Sequence, residues 1–74
     1  MTLRERETLM RAAAEGGKHV VIVDNGGQTY RGAALEFADW YQTESGYAAL
    51  WLEGVGAQAC RLGSDQILYI ELSR

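Results

Sequence analysis

Few side chains in this 74-residue chain are equipped for chemistry. His19 is the only histidine and Cys60 the only cysteine. A cysteine beside a histidine makes a nucleophile–base pair. Here, though, His19 opens a strand next to Lys18, and Cys60 falls inside another strand. The plainer reading is a strand-end imidazole and a buried small thiol. No cysteine or histidine spacing suits zinc. Asp24, Glu36, Asp39, Glu44 and Glu53 are spread over separate elements, as solvated carboxylates are. The chain therefore reads as a non-enzyme with no metal and no cofactor. What remains is recognition. Arg61 carries a guanidinium that can grip phosphate or stack on a base; the alternative is an exposed strand residue paired with a carboxylate. Trp40 and Tyr41 fall near a loop tip, where aromatics stack on a base or fill a neighbouring subunit. Trp40 can instead fold back over the end of the fold.

The elements that must position these residues are organised around Val20–Phe37. Val20–Val23 is a short β-branched run. Asp24-Asn25-Gly26-Gly27 follows, and Asn-Gly is a strong signal for a tight hairpin. The second strand begins at Gln28 or Thr29. Its alternation changes parity at Gly32, which predicts a bulge or sharp bend there. Ahead of the hairpin, residues 2–15 read as an amphipathic helix, with capping-box spacing between Thr2 and Glu5. Gly16-Gly17 is its stop. After Phe37 comes either a strand end plus a loop or a wide hairpin tip, with Ser45-Gly46 as the turn signal. The third strand is expected over Tyr47–Glu53, the fourth over Ala57–Leu62 and the fifth over Gln66–Leu72. Gly54-Val55-Gly56 is too short a signal for nucleotide binding, because no helix follows it. One helix and five short strands with tight turns predict a mainly β domain with a small, strongly bent five-stranded barrel.

Composition sets the outer bounds. The length suits one domain, spanning 1–74, with a modest core that an oligomeric interface would support. Apolar residues make up 47% and there are no prolines, which suits a folded domain rather than a disordered segment. The net charge of −3 opposes broad phosphate binding. No apolar run is long enough to cross a bilayer, and the charged start lacks a signal core. With a lone cysteine, these features predict a cytoplasmic protein without a membrane partner.

Two sets of residues carry a family resemblance across most of the chain. The first is Gly27, Tyr30, Gly32, Ala34, Phe37 and Asp39. The second is Arg61, Gly63, Asp65, Ile67 and Ile70. Together they resemble the two signatures of the Sm-like family, which includes the bacterial RNA chaperone Hfq. The resemblance implies a helix followed by a bent five-stranded barrel. It also implies a homo-oligomeric ring that binds single-stranded RNA, with Tyr30, Asp39, Trp40, Tyr41 and Arg61 as the residues in reach. Ring closure would pair the fourth strand with a neighbour's fifth, placing Cys60, Leu68, Tyr69 and Ile70 at the joint. Asp39 falls one position late, and Gln42 stands nearest to where the family has an asparagine. The aliphatic and glycine positions alone are also similar to those of other small barrels, including Src-homology-type interaction domains, and the helix-then-barrel plan also resembles the Rho-inhibiting Rof proteins. That likeness implies a protein-interaction or regulatory barrel that does not bind RNA.

Overall fold

The computed structural model describes residues 1–54 and 59–73. Helix α1 spans Leu3–Gly16. Thr2 caps it as its spacing with Glu5 predicts: the Glu5 N–H donates to Thr2 Oγ1 at 3.1 Å, and Glu5 Oε1 accepts from the Thr2 N–H at 3.3 Å. These bonds to Thr2 hold the Glu5 carboxyl below its usual pKa. At the other end Gly17 takes φ 57°, the left-handed conformation that glycine adopts without strain.

Five strands follow: β1 His19–Asp24, β2 Thr29–Ala38, β3 Ala49–Glu53, β4 Ala59–Gly63 and β5 Ile67–Leu72. All neighbours are antiparallel, in the order β4-β3-β2-β1-β5. The mainly β expectation holds, but the sheet is not closed. Among the described residues β4 and β5 are not paired, and each forms an outer edge. The fourth strand was expected from Ala57, which lies outside the described residues; the described part runs one residue further, to Gly63. The third strand starts at Ala49 rather than Tyr47. Side chains hold the approach to it: Thr43 Oγ1 donates to the Tyr47 carbonyl at 2.7 Å, and the Tyr47 N–H donates to Ser45 Oγ at 3.2 Å.

Strand β2 is the hinge of the sheet. Residues 29–33 pair with β1, and residues 34–38 pair with β3. The parity change expected at Gly32 divides into two features. Pairing with β1 is regular through Gly32, while the register slip lies between Ala34 and Glu36. Gly32 has a different duty. A Cβ there would lie 2.6 Å from the Glu53 carbonyl oxygen, so only glycine lets the two backbones approach this closely at the bend.

The core lies between α1 and the inner face of the sheet. Met10, Ile22, Leu50, Leu52, Ile67 and Ile70 are all fully buried or nearly so. Each such large apolar side chain contributes roughly 1.5–3 kcal/mol by leaving water. Met10 and Ala13 bring the helix into this cluster.

Candidate functional site

The segment after β2, read from the sequence as a loop, is a single 3-10 turn over Trp40–Gln42. Asp39 caps it: Asp39 Oδ1 accepts from the Trp40 N–H at 2.9 Å, and Gln42 Oε1 accepts from the Asp39 N–H at 2.8 Å. The Gln42 N–H returns to the Asp39 carbonyl at 2.9 Å. This is the reciprocal bonding of a capping box, and the spacing Asp39-x-x-Gln42 is the sequence signal for it. The second carboxylate oxygen of Asp39 accepts from Arg11 Nη2 on α1. Arg11 also stands over the Phe37 ring, 5.3 Å from its centroid, within the range of a cation–π contact. A cap, an ion pair and a stacked guanidinium thus pin the turn to the helix.

What the turn presents is aromatic. Trp40 is 59% exposed and Tyr41 67% exposed. Their rings meet edge to face, with centroids 5.6 Å apart and planes at 89°, a favourable aromatic geometry. Two open clefts flank the Arg11–Asp39 pair. One, of about 470 Å³, is lined by Leu35, Phe37 and Tyr41 with Ala14 and Glu15 of α1. The other, of about 540 Å³, lies between Trp40 and the helix residues Leu3, Arg4, Glu7 and Thr8. Trp40 therefore does not cover the end of the sheet; it stands out from the surface.

Of the five residues read as candidate RNA contacts, Asp39, Trp40 and Tyr41 come together in this turn. Tyr30 and Arg61 line neither cleft. Tyr30 is half-buried at the start of β2, and its hydroxyl donates to Asp24 Oδ2 at 3.0 Å. That bond, with burial and the Asp24 charge, raises the Tyr30 phenol pKa. Arg61 is exposed on β4 and stands 5.6 Å from the centroid of the Trp51 ring. Arg11 is the residue that sequence reasoning did not single out. No local signal marks it, because its partners come from β2 and the turn.

The four residues assigned to a joint between subunits fall into two groups. Leu68 is 56% exposed and Tyr69 42% exposed on β5. Burial and Glu71 raise the Tyr69 phenol pKa. Cys60 is half-buried against the core. Ile70 requires a correction. Its side chain is 1% exposed and it pairs with Ile22 in the core, so only its backbone can reach another chain.

Among the described residues, no group of three or more His, Cys, Asp or Glu side chains is placed to hold a metal ion. No helix there is long and apolar enough to cross a membrane. No family model, curated protein or solved structure matches this chain.

Proposed function

We propose that this chain is a non-catalytic protein-binding module that uses the exposed aromatic turn Trp40–Gln42 and the adjoining face of α1. One observation carries the reading. Each carboxylate oxygen of Asp39 already accepts a bond within the chain, one from the turn and one from Arg11, while the Trp40 and Tyr41 rings are exposed on a turn that is capped at Asp39. A base-reading loop needs free polar edges; an anchor for a protein needs exposed, pre-positioned aromatic rings. The net charge of −3 points the same way. The test is co-purification of the tagged protein from its host, with and without nuclease, in parallel with a Trp40→Ala/Tyr41→Ala variant. A protein partner is expected to survive nuclease and to be lost from the variant, with circular dichroism unchanged. Loss of all partners on nuclease treatment overturns the reading, as does quenching of tryptophan fluorescence by short RNA oligomers at low salt.

A second reading, an Sm-like ring that binds RNA, has one observation in its favour: β4 and β5 are both outer strands. Antiparallel pairs alternate between bonded and non-bonded positions. The Ser64 N–H donates to the Ala48 carbonyl and the Ser73 N–H to the His19 carbonyl. With the registers observed, that alternation turns the Arg61 N–H outward and the Tyr69 N–H inward to β1. Proline at Tyr69 would therefore break the subunit itself, whereas Arg61→Pro removes a donor at the edge alone. In this reading light scattering gives a multiple of the chain mass, reduced by Arg61→Pro and not by Arg61→Ala. A monomer at micromolar concentration ends it.

A further inference from the structure

Asn25 is the only asparagine in the chain, and Gly26 follows it. An asparagine ahead of an unshielded backbone nitrogen carries its own reaction partner: attack of that nitrogen on Cγ is intramolecular and closes a cyclic imide. The turn does not require glycine at this position. The Gly27 N–H closes it on the Asp24 carbonyl at 3.0 Å, and the left-handed φ of 84° belongs to Gly27. Neither Asn25 nor Gly26 has a positive φ. A Cβ on Gly26 would meet only Asp24 Oδ1, at 3.4 Å. What the missing side chain does leave is an open approach to the Gly26 nitrogen. Both residues are exposed at the hairpin tip.

Asn25 also joins two turns. Its backbone N–H donates to the Gln66 carbonyl and its Nδ2 to the Asp65 carbonyl, each at 2.9 Å. The tip of the β1–β2 hairpin is thereby tied to the turn between β4 and β5. Both reacting groups are held in the tied state, Nδ2 by Asp65 and the Gly26 N–H by Asp24 Oδ1. These bonds are exposed, and exposed bonds at a loop tip open at little cost.

We propose that Asn25 is a site of spontaneous, one-way modification that unties the two turns. In the open tip the Gly26 nitrogen gives its proton to solvent base and attacks Asn25 Cγ. The N–Cγ bond forms, the Cγ–Nδ2 bond breaks, and Nδ2 leaves as ammonia with a proton from water. Water then opens the imide at either carbonyl, leaving aspartate or isoaspartate. The product carries a carboxylate where Nδ2 donated. That acceptor faces the Asp65 carbonyl, itself an acceptor, and adds a negative charge to the turns that hold Asp24 and Asp65. The side-chain tie cannot re-form, so the product accumulates.

The experiment keeps the isotope-labelled chain in warm, mildly alkaline buffer and follows peptide masses and side-chain amide signals over days. The free peptide Asp24–Thr29 is the clock. The Asn25 side-chain amide signals are expected to fade more slowly than the peptide converts, with a mass gain confined to the fragment that carries Asn25 and isoaspartate among its products. Gly26→Ala, which the turn accommodates, is expected to keep the parent circular dichroism and to stay unconverted over the same interval. Asn25→Asp, the aspartate product made directly, is expected to shift the backbone amides of Asp65 and Gln66. Three results overturn the proposal: a folded chain still intact when the free peptide has fully converted, conversion of Gly26→Ala at the parent rate, or unmoved Asp65 and Gln66 amides in Asn25→Asp. If Gly26→Ala loses its fold, the products of the parent decide. Isoaspartate marks the imide route, and aspartate alone overturns it.

Discussion

Asp24 and Asp39 have parallel local tasks at two ends of β2. Asp24 Oδ1 accepts from the N–H groups of Gly26 and Gln28, each at 2.9 Å, and closes the hairpin turn. Asp39 Oδ1 accepts from Trp40 and caps the 3-10 turn. The second oxygen separates them. At Asp24 it receives the hydroxyl of Tyr30, so the nearby aromatic is tied down. At Asp39 it receives Arg11, and the nearby aromatics are left in solvent. An aromatic whose polar end serves a local turn belongs to the architecture. Aromatics whose turn is fastened by another residue remain available to a partner.

The most disruptive test of this contrast acts through the helix. Met10→Ala empties a fully buried site and is expected to cost about 2–5 kcal/mol in denaturant unfolding. Arg11 rides on the same helix, so Trp40 emission should change as well, while the Asp24–Tyr30 turn keeps its amide shifts. Asp39→Ala removes a cap and an ion pair together and is expected to cost about 1–2 kcal/mol by the same measurement. Asp39→Asn preserves an oxygen for the cap. The loss in Asp39→Asn relative to the parent isolates the charged contact to Arg11, whose side chain is 54% exposed, and should stay below about 1 kcal/mol; the difference between the two variants reports the cap.

The hairpin end responds to acid. Bonds from Gln28, Tyr30 and Gly26 hold the Asp24 carboxyl below its usual pKa. A depressed carboxyl contributes stability that is complete above the unfolded value, about 3.9. The contribution is lost as pH falls from there through the lower folded value. Tyr30→Phe removes one donor, so the Asp24 midpoint followed by carboxyl NMR should rise, and acid should remove less stability than in the parent. The smallest effect is expected at the other end. Trp40→Ala/Tyr41→Ala should alter stability by no more than about 0.5 kcal/mol, as for exposed surface residues, since the two rings meet each other and neither is buried in the core. A larger loss would make those rings part of the architecture and erase the contrast.

The fold was legible wherever a local rule acts alone. Thr2 and Glu5 announce the helix start, Asn25-Gly26 the hairpin, and the β-branched run Val20–Val23 the first strand. Ile67 and Ile70 read as core residues, and both are buried although strict alternation would turn one outward. The register slip between Val23 and Asp24, where Asp24 faces Ile67 and Val23 faces Tyr69, absorbs the extra residue. That slip also explains why Ile70 cannot serve a joint with its side chain. The site was harder to see. Asp39-x-x-Gln42 carries a capping pattern, but it follows a strand, where an ending is expected and a turn of helix is not. Arg11 was out of reach, since its pairing with Asp39 depends on how α1 docks, and no spacing along the chain encodes that.

The bend at Gly32 has a consequence for how the molecule comes apart. Because β2 pairs with β1 along its first half and with β3 along its second, neither half of the sheet owns a complete set of strands. Melting the hairpin exposes one border of β2, and melting β3 exposes the other. The two turns are therefore coupled through one shared strand, and heating should give a single sharp transition. Amide exchange along the middle of β2 would then report global opening, with rates that agree on both sides of Gly32.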